Sequence, residues 1–146
     1  MNPSGPATEP ASPLAHVVVH ASERPEGAAA LRWAVQHVLE RPQAQPGATT
    51  VHVVLSHSDR EGGPTFTSPA ALEELQAQLD ASGLPHRVHQ PTDDPAGQVI
   101  DLAEEVGAGL VVTGVARRSA TMKLILGSHT QRILLGADCP VVAVKH

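Results

Sequence analysis

"DDPAGQVIDLAEEVGAGLVVTG", residues 93–114, contains a helix, both of its ends and the strand that follows, and its reading decides the fold. Asp94 before Pro95 is a helix start: the carboxylate accepts from the unpaired N–H groups of the first turn, and proline at the first helical position needs no N–H. Val99, Ile100, Ala103 and Val106 fall on one helical stripe that runs to Gly107, a helix terminator. "LVVTG" (110–114) is then a short apolar run of the kind a buried strand shows, the fourth in the chain.

The same grammar extends in both directions. "HVVVH" (16–20) reads as strand one, and "PEGAAALRWAVQHVLE" (25–40) as a helix with Leu31, Ala34, Val35, Val38 and Leu39 at helical spacing. "TTVHVVLSH" (49–57) is strand two, followed by a Gly/Ser/Pro loop through residue 67 that is expected at the surface. Ser68 as N-cap, Pro69 at the first position, Leu72, Leu75 and Leu79 as the apolar stripe and Gly83 as terminator define the next helix. "HRVHQ" (86–90) is strand three; Ser128 to Leu135, with Ser128 as cap and Gly136 as stop, is a short helix, and "VVAVK" (141–145) is strand five.

Strands separated by helices of this length pair in parallel through right-handed crossovers, which puts helices on both faces of the sheet. The expected class is α/β, a three-layer α/β/α sandwich with a five-stranded parallel sheet. In one common winding the first strand lies beside a later one where the direction of winding reverses, and ligands sit beyond the carboxyl ends there. That places His20-Ala21-Ser22 opposite Gly114. "MNPSGPATEPASP" (1–13) has no periodic apolar face and reads as a flexible tail, leaving 14–146 as one domain.

Composition narrows the function. Trp33 and Phe66 are the only aromatics, so the core is aliphatic; with a net charge of -5 and no basic stripe, the footprint of a nucleic-acid binder is missing. Cys139 is single and cannot form an internal disulfide; standing before Pro140, it is expected as a small buried apolar residue. The chain shows no secretory leader at its start and no apolar run near the roughly 20 residues of a membrane span. The expected location is the cytoplasm.

"GVARRSATMKLILGSH" (114–129) opens and closes on glycine. A helix N-terminus presents unpaired N–H groups and about half a positive charge, and can bind an anion without a basic side chain. Gly127 lets a phosphate approach the backbone and Ser128 can donate its hydroxyl; equally, Gly127 can be a turn and Ser128 a cap. No Gly-Lys-Ser/Thr sequence occurs, which excludes the nucleoside triphosphatase phosphate loop. His16 and His20 share a strand face about 13 Å apart, at about 3.3 Å per residue, too far for a shared ion. His52 and His57, and His86 and His89, lack a ligand set at recognisable spacing, so no metal site is expected. Ser128-His129 has no orienting acid nearby, and Asp93-Asp94 is a helix start rather than an acid–base pair, so no catalytic residue is expected.

"SERPEGAAALRWA" after strand one, "DDPAGQVIDLAEEVGAGLVVTG", and "GSHTQRILLGADCPVVAVK" after it resemble, in order and spacing, the universal stress protein family over nearly all of residues 14–146. ATP-binding members carry Gly, two residues, Gly, nine residues, then Gly-Ser or Gly-Thr; Gly114, Arg117 and Gly127-Ser128 keep that spacing. The resemblance implies an adenine nucleotide alpha hydrolase-like (HUP-type) fold and an adenine nucleotide, ATP or AMP, at the ends of strands one and four. It implies contacts from Val19, His20, Ala21, Val54, Thr113, Gly114, Arg117, Arg118, Gly127, Ser128, His129 and Thr130. It also implies a homodimer formed through Val141–Lys145, and a stress-response or signalling module rather than an enzyme.

Two departures bear on the ligand. Arg117 stands where the family has its second glycine; arginine loses roughly 1–2 kcal/mol in a left-handed conformation, although the guanidinium of Arg117 or Arg118 can contact a phosphate or fill the anion site itself. His20 stands where ATP-binding members have an aspartate near the nucleoside. It can hydrogen-bond a ribose or stack on a base, or be a strand-end histidine held by a carbonyl, and it lacks the permanent charge of aspartate, so affinity is expected to fall or change preference. Val54 is either near the adenine or plain core. The rival functions are a homodimer with the site closed by Arg117 and His20, and a slow nucleotide hydrolase.

Overall fold

A computed structural model describes residues 14–41, 48–56, 69–116 and 126–146. The tail 1–13, the loop after strand two with the cap Ser68, and Arg117 and Arg118 lie outside the described residues. The chain runs β1 (His16–Ala21), α1 (Pro25–Leu39), β2 (Thr50–Leu55), α2 (Pro69–Ser82), β3 (His86–His89), α3 (Pro95–Val106), β4 (Leu110–Val115), α4 (Ser128–Gly136) and β5 (Val141–Lys145). The strands form one sheet in the order β3-β2-β1-β4-β5, and every pairing is parallel, as the alternation of strand and helix implies.

Strand periodicity sorts the valines onto two faces. Val17, Val19 and Ala21 of β1 pack with Ala30, Leu31 and Ala34 of α1 and Leu79 of α2. Val18, Val54 and Val111 face the other way, against Val99, Leu102 and Ala103 of α3 and Ile133 of α4. Three layers result, with the aliphatic core split by the sheet.

The helix ends follow the sequence in α3: Asp94 accepts from the Gly97 N–H at 3.1 Å, Pro95 opens the helix, and Gly107 ends it at φ 65°. Gly83 ends α2 at φ 72°. Two expected ends are corrected. Gly127, not Ser128, is the N-cap of α4, because Ser128 already has its place in the helix. Gly136 is the last helical residue rather than the stop: a Cβ there would meet Ile100 Cδ1 at 2.7 Å, so its small size serves the close packing of α4 on α3. Arg132 of α4 also forks onto both carboxylate oxygens of the α3 cap Asp94, and that hydrogen bonding, ahead of the Gly97 N–H, holds the carboxyl below its usual range.

The α2 stripe is graded. Leu79 is fully buried, Leu75 partly, and Leu72 is 40% exposed. Leu79→Ala is expected to cost about 2–5 kcal/mol in urea unfolding, whereas Leu72→Ala should stay within about 0.5 kcal/mol.

Candidate functional site

β1 pairs with β2 on one edge and β4 on the other, so the chain leaving β1 turns one way and the chain leaving β4 the other. A cleft of about 290 Å³ opens beyond their carboxyl ends. His20 and Ser22 line it from the end of β1, Ser56 from the end of β2, Glu26 and Gly27 from the start of α1, and Gly114 from β4; Gly127, Ser128, His129 and Thr130 close it.

Two helices begin here. The first intrahelical bond of α4 runs from the Gln131 N–H to the Gly127 carbonyl at 3.0 Å, and that of α1 from the Ala28 N–H to the Arg24 carbonyl at 3.0 Å. The N–H groups before them have no intrahelical partner, and the positive ends of both helix dipoles meet at the cleft, an electrostatic preference for an anion. Arg24 and Glu26 add one charge of each sign, 4.0 Å apart on the wall.

The two glycines that frame the loop differ in role. A Cβ on Gly114 would lie 2.1 Å from the Glu26 carbonyl oxygen, so this glycine lets the first turn of α1 settle on β4. Around Gly127, at φ -66°, a Cβ would meet no described atom within 4 Å. Among the described residues nothing packs against that position.

Thr130 donates to the Gly114 carbonyl at 3.3 Å, so its oxygen accepts from Thr113 at 3.4 Å, and Thr113 in turn accepts from His20 Nδ1 at 3.0 Å. Each hydroxyl has one proton, so this polarity assigns the Nδ1–H tautomer to neutral His20. Nδ1 is directed at fully buried Thr113 and Nε2 is itself buried, so the ring meets the cleft through carbon. The Nδ1 side of His20 is thus held by a hydroxyl. His129 stands edge-on to it, centroids 5.9 Å apart at 74°.

Among the expected contact residues the structure brings together His20, Gly114, Gly127, Ser128, His129 and Thr130, with Thr113 buried directly beneath. It does not bring Val19, Ala21 or Val54 into the cleft wall: all three are in the core, because alternation turns Val19 and Ala21 towards α1 and Val54 towards α3. Ser56, Arg24 and Glu26 were missed. The rule that placed the start of α4 at the crevice applies equally to the start of α1, and "SERPEG" was the signal that could have found two of them. Among the described residues no three His, Cys, Asp or Glu side chains are grouped to hold a metal ion, and no helix is long and apolar enough to cross a membrane.

The profile of the universal stress protein family matches residues 14–145. The chain belongs to the universal stress protein family. It is 31% identical over 130 residues to a universal stress protein from Mycolicibacterium smegmatis, covering 88% of this chain and 96% of that one. Two solved structures share the fold. The universal stress protein from Archaeoglobus fulgidus in complex with dAMP superposes with a TM-score of 0.54 at 22% identity, covering 89% of this chain and 96% of that one. A universal stress protein in complex with cAMP gives 0.58 at 21%, covering 88% and 94%.

Gly114→Ala is expected to destabilise the fold by about 1–3 kcal/mol, read as a lower urea midpoint, because its neighbour is main chain and cannot swing aside.

Proposed function

We propose that this universal stress protein domain binds an adenine nucleotide, ATP or AMP, with its phosphates on the amides of Gly127 to Thr130. The observation that supports this reading is that Gly127, at a helix N-terminus, is free of contact with any described residue at its Cβ position, inside a cleft lined by serines and a second helix start. The dAMP and cAMP held by two family structures are consistent with it. Ser128 donates its hydroxyl to a phosphate, Arg24 balances its charge, and His20 packs its ring against the nucleoside; the guanidinium of Arg117 or Arg118 adds a phosphate contact. The role is that of a cytoplasmic binding or signalling module formed by residues 14–146, not of an enzyme.

Heating the protein with millimolar ATP, AMP, dAMP or cAMP tests this. A ligand at 100 times its Kd stabilises by about 2.7 kcal/mol, a clear rise in Tm. Ser128→Ala should weaken the effective nucleotide by about 10- to 100-fold, through loss of a charge-assisted hydrogen bond of about 1.5–3 kcal/mol, with the fold intact. No shift with any of the four overturns the reading.

The same domain is proposed to form a homodimer through β5. In this edge strand the Pro140 carbonyl and the His146 N–H point to β4, so by alternation Val141, Ala143 and Lys145 point their backbone groups outward. Leu135 of α4, 88% exposed, adds apolar surface. Ala143→Pro removes an outward N–H and no bond to β4, and is expected to give a folded monomer by light scattering; an unchanged dimer, or a wild-type monomer, contradicts this arrangement.

A further inference from the structure

On the sheet face beneath α3, three histidines join end to end. The register sets His16 level with Thr50 and His52 level with Arg87, so each step of the chain crosses one strand and climbs two residues. His16 Nδ1 lies 3.1 Å from His52 Nε2, and His52 Nδ1 lies 3.0 Å from His89 Nε2. His52 is 6% exposed. Arg87 of β3 faces His52 and His89; Glu105 acts on His89 from α3, and Asp101 of α3 lines the same groove. Burial first, then His89, His16 and Arg87, pushes His52 down to about 4 from its ordinary 6.5. Burial and Arg87 also lower His89, against the pull of Glu105.

Counting protons determines how this chain responds to acid. Each of the two N···N contacts needs one proton, neither none nor two. Three neutral rings bring three protons: two fill the contacts, and the third sits on His16 Nε2 or His89 Nδ1 according to the direction of the chain. One extra proton fills the other terminal nitrogen and leaves both hydrogen bonds intact. The next has no terminal site and must enter a contact, where two N–H groups then face each other close to Arg87.

We propose that the His16–His52–His89 chain is an acid-operated latch for β1, β2, β3 and α3, closed while it holds no more than one excess proton and opened by the second. α3 responds because it is the layer over the chain, with Ala96, Val99 and Leu102 buried on the same face. The sign follows from His52: its proton affinity is lower in the folded chain, so stability is complete above about 6.5 and is lost as pH falls towards 4, by roughly 300-fold in the unfolding constant for the full shift.

Amide hydrogen exchange and imidazole ¹⁵N shifts of the full chain, followed from pH 7.5 to 4.5, test the latch. Protection of β3 and α3 should fall together and reversibly, with more than one proton per opening, while His52 stays neutral until opening occurs. His52→Leu should make α3 protection independent of pH across this range, and His89→Gln, a polar replacement that keeps the site filled if the leucine variant does not fold, should reduce the steepness by about one proton. Flat protection in the wild type, a folded His52 that titrates near 6.5, or the wild-type pH profile in a folded variant overturns the proposal.

Discussion

β1 is hydrogen-bonded on both edges, to β2 from His16 to Ala21 and to β4 from Val17 to Val19, and this double pairing is what the other features rest on. As the central strand of a parallel sheet covered by helices on both faces, β1 is apolar on both, and Val17, Val18 and Val19 are all fully buried. Because the two partners are reached by crossovers of opposite direction, the loops leaving β1 and β4 separate, and the space between them becomes the cleft. The helices that begin at its rim then supply its electrostatic character without any lysine or arginine being required.

Packing sets the limits of that cleft. α1 lies so close to β4 that only a glycine at 114 leaves room for the Glu26 carbonyl, and α4 is held to α3 by Gly136 against Ile100 and by the Arg132–Asp94 fork. The start of α1 rests on Gly114 of β4, and Thr130 ties the first turn of α4 to the carbonyl of that same residue. Within this frame, the Thr113–Thr130–Gly114 hydrogen-bond chain orients the His20 ring through its Nδ1.

Much of the architecture was legible in the sequence because its signals are local. Asp94-Pro95 and Gly107 announce a helix by the chemistry of its unpaired ends, and "HVVVH" announces a strand buried on both sides by its unbroken apolar run. The crevice between β1 and β4 was legible too, since winding rules constrain the order of strands. Less legible were the functions of single residues within these elements. Gly136 was read as a helix stop because glycine often is one; only the distance to Ile100, a residue from another helix, shows its packing role. Val54 sits in a strand whose end approaches the cleft, and alternation alone decides that its side chain turns into the core.

The sequence by itself determined the order of strands and helices along the chain, the aliphatic core and the helices on both faces of the sheet, because spacing, propensity and end chemistry act over a few residues. Tertiary structure decided which of nine histidines meet. His16, His52 and His89 come from three strands and lie far apart along the chain, and their contact depends on the stagger of β1, β2 and β3 to within one residue. A shift of a single position would send one ring to the opposite face of the sheet, and no local pattern in the chain specifies that register.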